Sequence, residues 1–306
     1  MWNKWSALLL GLLLTTALPQ AVKAETVIEK VARTGVLSVG ARLDMLPYAY
    51  INDQQELVGF SVDLTKLIRD EVQEELGRPV AIQVQVVDSQ NDFFPDLQTG
   101  KIDIACSMQF TWERAKFADY SIPYSISGIR LLVKKDSSLT GLPGSLGGKR
   151  VGVVPGSLSQ EVMKALQPQA VLVPLRGSED GGNELGSGKI DAIAGDTLIL
   201  GGNALRVNPT GDGFKLIPQE SYARYGISCI VPKNNSTFLY LVNRAIVRMM
   251  QGYILGVPAT VEMVDRWVGP NGMVPLPADQ VRSYFQTVIM SHEQIPLPPS
   301  ESKPAS

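Results

Sequence analysis

The sequence predicts an α/β protein of two related lobes, each a parallel sheet flanked by helices. Three observations carry this. Short apolar runs of strand length alternate with segments of helical spacing, the pattern of parallel α/β sheets. The hexamers Gly100-Lys101-Ile102-Asp103-Ile104-Ala105 and Gly188-Lys189-Ile190-Asp191-Ala192-Ile193 are near copies. Each follows a strand–Gly–loop unit, Val39-Gly40 and Val151-Gly152, and two copies suit two lobes rather than a solenoid. A chain of 306 residues with 44% apolar composition can also bury enough core for two lobes.

Taken in order, Thr26 to Thr34 reads as a short helix with Val27, Ile28 and Val31 on one side, stopped by Gly35. Val36 to Gly40 is a buried strand, and Arg42 to Pro47 is the loop that leaves it. Tyr48 to Val58 reads as a hairpin turning near Asn52-Asp53. Phe60, Leu64, Leu67, Ile68, Val72 and Leu76 share one face of a helix over Gly59 to Leu76. Val80 to Val87 alternates as a strand. Ser89 to Gly100 holds a short helix with Phe93, Phe94 and Leu97. Ile102, Ile104 and Ala105 form the next strand, and Trp112-Glu113-Arg114 opens a short helix.

Ile129 to Lys134 is an apolar strand, followed by a Gly/Ser/Leu-rich connection to Lys149. Arg150 to Val154 is a strand that delivers Pro155-Gly156-Ser157-Leu158-Ser159 to a helix start. Val171 to Leu175 is a strand. Asn183-Glu184 begins a short segment ending at Gly188. Lys189 to Ala194 is a buried strand with Gly195-Asp196 at its end. Gly226 to Val231 is a strand containing Cys229. Phe238 to Met250 is a helix with Leu241, Val242, Ala245, Ile246 and Met249 on its apolar side, and another helix starts near Pro258. Prolines multiply beyond Gly269, and Pro296 to Ser306 is expected to be disordered.

Composition narrows the function. A formal charge of -2 offers no basic surface for nucleic acid. The single histidine, His292, lies near the end of the chain, so neither a His-based triad nor a His metal site is expected. Residues 1–24 read as a secretory signal: Lys4, an apolar run from Ser6 to Leu18, and Val22-Lys23-Ala24, with cleavage expected after Ala24. The alternative, an uncleaved anchor, lacks a long apolar span. No Cys follows the apolar run, so a lipid anchor is not expected, and the mature protein should be soluble and exported. In an oxidising compartment, Cys106 and Cys229 are either a disulfide or two buried thiols, and spacing does not decide between them.

Ligands of parallel α/β sheets bind at the carboxyl ends of strands. Gly40–Pro47, Ser107–Arg114, Gly156–Ser159 and Gly195–Asp196 all fall there. The stretch from Gly100 to Ser121 is well built to hold a carboxylate. Free backbone N–H groups and a helix start supply partial positive charge, and Arg114 supplies a planar pair of donors. The bland alternative is a surface loop with a solvated Arg.

These motifs, together with Gly59-Phe60-x-Val62-Asp63-Leu64, Thr111-x-Glu113-Arg114, Asp119-Tyr120-Ser121-x-Pro123-Tyr124, Val151-Gly152-Val153-x-x-Gly156-Ser157, Asp191-Ala192-x-x-x-Asp196 and Trp267-Val268-Gly269, give the chain a resemblance. It resembles the polar amino-acid-binding proteins of bacterial ABC importers, solute-binding family 3, over nearly all of the mature sequence. Ser89-Gln90-Asn91, Cys106, Gly128-x-Arg130-Leu131-Leu132-x-Lys134-Lys135 and Tyr225-Gly226-x-x-Cys229 make it look most like the glutamate/aspartate binders.

The resemblance implies a two-lobed periplasmic-binding-protein type II fold with two hinge strands, Ile129–Val133 and Ile227–Val231. Lobe one would comprise 25–130 and 229–290, lobe two 131–228, and 291–306 a disordered tail. Both cysteines then fall in lobe one near the hinge, which favours a disulfide. Arg114 would grip a ligand α-carboxylate, helped by backbone N–H groups near Ser107 and Gln109, by Ser157 across the cleft and by the Thr111 hydroxyl. Asp196 would accept the α-ammonium; its alternative role is an N-cap before Thr197-Leu198. Arg42 stands where acidic-ligand binders place an Arg, with Ser89 and Asp92 as further members of a side-chain pocket. Acidic binders usually carry another Arg at the position of Asp92, so Asp92 could pair with Arg42 and neutralise it; Gly177 to Asp180 also lacks the base such binders often carry. The partners implied are a free amino acid and a membrane permease, with no cofactor or metal. The alternative function is a periplasmic enzyme of the same fold, of the cyclohexadienyl dehydratase kind, with Asp92 or Glu179 as its acid.

Overall fold

A computed structural model describes residues 25–292 other than 209, 211, 273 and 274. The signal segment, its cleavage site and residues 293–306 lie outside the described residues.

The chain begins with α1 (Val27–Thr34), closed at its N-terminus by a reciprocal cap between Thr26 and Glu29 and at its C-terminus by Gly35 in the left-handed region, φ 72°. β1 (Val36–Ala41) follows, then β2 (Asp44–Met45), β3 (Ala49–Ile51) and β4 (Leu57–Val58), which form a small antiparallel sheet. α2 (Phe60–Leu76) buries Phe60, Leu64, Ile68 and Val72 and leads to β5 (Ala81–Val86). After a single turn at 90–92 come α3 (Phe93–Gln98) and β6 (Ile104–Gln109). β6 runs past the apolar Ile104 and Ala105 to Gln109, because pairing with a later strand continues through its polar end. A turn at 114–116 precedes β7 (Ala118–Tyr120) and β8 (Ser125–Lys134).

The second half repeats the design with β9 (Arg150–Val153), α4 (Leu158–Leu166), β10 (Val171–Pro174), α5 (Ser178–Gly186), β11 (Ala192–Asp196) and α6 (Thr197–Val207). α5 is longer than the sequence suggests, despite Gly181-Gly182. A Cβ at Gly181 would lie 2.8 Å from Ile193 Cδ1, so glycine there permits close packing of the helix on β11. β12 (Phe214–Ile217) and β13 (Ala223–Pro232) lead back, and α7 (Ser236–Ile254), α8 (Pro258–Trp267) and α9 (Ala278–His292) complete the chain. Ser291 and His292, expected in a disordered tail from 291, instead form the end of α9, whose Val281, Phe285 and Val288 are buried. β2, β7, β12 and α9 were not anticipated from the sequence, and α6 was foreseen only through the alternative reading of Asp196 as an N-cap.

One sheet of ten strands contains two parallel trios, β5-β1-β6 and β10-β9-β11, joined by β8 and β13. β8 and β13 are antiparallel to each other. β8 continues onto β11 and β13 onto β6, so the chain crosses between the trios twice. The disulfide Cys106–Cys229 joins β6 to β13. Each trio is the centre of its own apolar core. Leu198 and Ile199, at the start of α6, pack into the core of the first lobe, so the lobes touch.

The internal repeat has one structural job done twice. Gly100 and Gly188 turn the chain at φ 71° and 75°. Asp103 Oδ2 then accepts the Ser38 N–H entering β1, and Asp191 Oδ2 accepts the Arg150 N–H entering β9, both at 2.8 Å. Each Asp therefore ties its own strand to the central strand of the trio, away from the cleft.

Candidate functional site

The carboxyl ends of both trios meet at a cleft lined by Arg42, Asp44, Gln109, Ser157, Gly177 and Asp196, with Ile129, Val154, Ile193 and Ile199 as apolar walls. Lobe one supplies the first three through the loop after β1 and the end of β6. Lobe two supplies the others through the loops after β9, β10 and β11.

Arg114 sits in the turn after β6, where its N–H donates to Thr111 Oγ1 at 3.2 Å. Thr111 therefore shapes the turn that carries the Arg, and neither Thr111 nor Arg114 is among the residues lining the cleft. The guanidinium is buried. Its Nη1 reaches Gln109 Oε1 at 3.4 Å and its Nη2 reaches the Gly156 carbonyl, on the opposite lobe, at 3.5 Å. Both contacts are long, and among the described residues no carboxylate pairs with it. A buried cation without an anion is costly in water-poor surroundings, and a bound carboxylate relieves that cost.

Asp196 ends β11 and caps α6. Its Oδ1 accepts the N–H groups of Leu198 and Ile199 at 2.9 and 3.1 Å, and its Oδ2 accepts the Tyr225 hydroxyl at 2.7 Å. The N-cap role and a place in the cleft wall therefore coexist. Burial pushes its carboxyl above the usual carboxylate range, and the Tyr225 hydroxyl opposes the rise by stabilising the ionised form. Among the described residues no cation pairs with it.

Ser157 caps α4: its Oγ accepts the Gln160 N–H at 3.3 Å and donates to the Val154 carbonyl at 2.6 Å. It lines the cleft as expected. Ser107 does not. It lies in the left-handed region at φ 74°, which turns its N–H away to the Tyr124 hydroxyl at 2.9 Å while its Oγ meets Ser61 Oγ at 2.7 Å. Its N–H is thus engaged in lobe one, which corrects the expectation that it faces a ligand.

The side-chain end also differs from expectation. Arg42 pairs with Asp44, not Asp92: Nε and Nη2 reach the two Asp44 oxygens at 2.9 and 2.5 Å, and Nη1 donates to the Asp88 carbonyl at 2.9 Å. Asp92 is exposed in the turn at 90–92 and outside the cleft wall. Ser89 caps that turn by accepting the Asn91 N–H at 3.3 Å, and lines an adjoining space beyond Arg42. The Glu179 side chain lies outside the described residues. Asp44 and Tyr225 are the residues the sequence reading missed. Asp44 had a weak signal, since it lies two residues from Arg42 in the same short loop. Tyr225 had none, because its partner lies 29 residues away.

The chain matches the bacterial extracellular solute-binding proteins, family 3, over residues 37–256. It belongs to that family. A glutamate/aspartate import solute-binding protein of Salmonella typhimurium is 30% identical over 233 residues, 74% of this chain and 76% of the relative. The protein of the same description from Escherichia coli K12 is 29% identical over 295 residues, covering 93% of both chains. An ancestral arginine-binding protein bound to glutamine has a similar structure, with a TM-score of 0.65, 29% identity, and coverage of 76% of this chain and 97% of that one.

Proposed function

We propose that this protein captures an acidic or polar amino acid in the cleft by closure of the two lobes and delivers it to the membrane permease of an ABC importer. The observation that carries the reading is a pair of buried, opposite charges: Asp196 in the cleft wall and Arg114 behind it, reaching the cleft residue Gln109 and the Gly156 carbonyl beside Ser157, neither with a countercharge among the described residues. A free amino acid brings the complement of both: its α-carboxylate suits the Arg114 fork and its α-ammonium suits Asp196. Gln109 and Ser157 add polar contacts from the two lobes. In this reading lobe one is 25–130 and 229–290, lobe two is 131–228, and β8 and β13 flex between them. Export through residues 1–24, with cleavage after Ala24, would place the protein where its relatives' import role is carried out. No covalent step is part of the proposal.

Thermal melts of the mature protein against the common amino acids test this. A ligand that binds only the folded state raises stability by about 2.7 kcal/mol at a hundredfold excess over Kd. A shift with at least one amino acid, abolished in Arg114→Ala and in Asp196→Ala, is expected. No shift with any amino acid overturns the reading.

A further inference from the structure

Building on the reading of the cleft as an amino-acid site, we infer that its side-chain subsite is a closed ion pair that selects an uncharged carboxamide. The ligand class is then an amide amino acid, glutamine or asparagine, rather than an acidic or basic one.

The argument starts from charge. Arg42 and Asp44 are joined at two points and are only 14% and 22% exposed, so the pair is largely withdrawn from water. The third Arg42 nitrogen is held by the Asp88 carbonyl. Gly177 closes over the pair from the opposite lobe: a Cβ there would lie 3.1 Å from Asp44 Oδ2 and 3.6 Å from Arg42 Nη2. Arg114 and Asp196 are matched by the α-carboxylate and α-ammonium of the ligand. Arg42 and Asp44 are matched by each other. A ligand side chain therefore enters a site whose remaining charges already cancel.

A side-chain carboxylate would have to compete with Asp44 for the same guanidinium fork, and would place a second anion beside the first. A side-chain ammonium or guanidinium would meet Arg42. Either charge would be desolvated without a full partner. A carboxamide carries one acceptor and two donors and no charge. It can accept one of the remaining Arg42 N–H bonds and donate to an Asp44 oxygen, leaving the ion pair intact. An apolar side chain would bury the remaining Arg42 N–H groups and Asp44 lone pairs without a ligand partner.

The test is calorimetric titration of the wild-type protein and Asp44→Asn with glutamine, asparagine, glutamate, aspartate and arginine at neutral pH. The wild type is expected to bind an amide amino acid at least about tenfold more tightly than the corresponding acid or arginine. Asp44→Asn frees the Arg42 fork and is expected to move the acid-to-amide ratio at least about tenfold toward the acid. Asp44→Ser is the second variant if Asp44→Asn does not fold, and the wild-type ratio stands without either. Tighter binding of an acid or of arginine by the wild type overturns the inference while leaving the amino-acid reading in place. So does an unchanged ratio in a folded Asp44 variant. Absence of binding by every amino acid overturns both.

Discussion

The Tyr225 hydroxyl donates to Asp196 Oδ2 at 2.7 Å, joining a strand that crosses between the lobes to the acid of the cleft. Asp196 thus has its two oxygens divided between a helix cap and a hinge-strand phenol. A ligand ammonium would share these oxygens with groups that already hold them in place.

Tyr225→Phe should weaken ligand binding and alter its pH dependence. Burial raises the Asp196 pKa, so the folded protein holds a proton there more tightly than the unfolded chain. The ionised carboxylate consequently costs stability above its folded pKa, and that cost is relieved as pH falls through it. Ligand affinity runs the other way, because an ammonium needs the ionised form: affinity falls as pH drops through the raised pKa. Losing the Tyr225 bond raises that pKa further. The affinity of the variant should begin to fall at a higher pH than the wild type's, because Asp196 then loses its ionised form at a higher pH. Kd measured across a pH series checks this; superimposable profiles would contradict it.

Removing the Cys106–Cys229 disulfide should cost stability and spare binding. The bond closes a loop of 123 residues, for which the chain-entropy argument gives a ceiling of about 4–5 kcal/mol. Both cysteines sit between β6 and β13, and neither is among the residues lining the ligand cleft. The Cys106→Ala/Cys229→Ala double variant is expected to melt well below the wild type while keeping its ligand Kd within a fewfold.

Gly177→Val should impair closure rather than folding. The Gly177 backbone is extended, at φ -158°, so a side chain is not strained there. Its Cβ would nevertheless lie 3.1 Å from Asp44 Oδ2 on the opposite lobe. Overpacking such a contact costs about 1–3 kcal/mol, which corresponds to roughly a five- to 150-fold loss of affinity. The ligand-free melting temperature should stay close to the wild type's. A large drop in that temperature with Kd unchanged would place Gly177 in the fold rather than in the closing contact.

Much of the fold was legible because local physics determines it. The apolar runs Val36–Gly40 and Arg150–Val153 sit in strands, the run expected over Lys189–Ala194 enters its strand only at Ala192, and the face of α2 from Phe60 to Val72 is buried as its spacing requires. α9 was hidden by the prolines around it and by its weak apolar stripe, although Phe285 and Val288 are enough to dock it. β12 escaped notice because its four residues are all half-buried and carry no alternation.

The sequence by itself determined the two-lobed α/β architecture and the repeat that carries Asp103 and Asp191, and it named the candidates Arg114, Ser157 and Asp196. The architecture and the repeat follow from periodicity and motif order, which are properties of neighbouring residues, and the candidates Ser157 and Asp196 from the family resemblance those motifs carry. Only the tertiary structure decided which partner each polar side chain has. The positive φ of Ser107 directs its N–H to Tyr124. The path of the chain into β2 gives Arg42 to Asp44 instead of Asp92. Hydrogen bonds and ion pairs depend on ångström-scale geometry between segments far apart in the chain, and such geometry exists only once the lobes have packed.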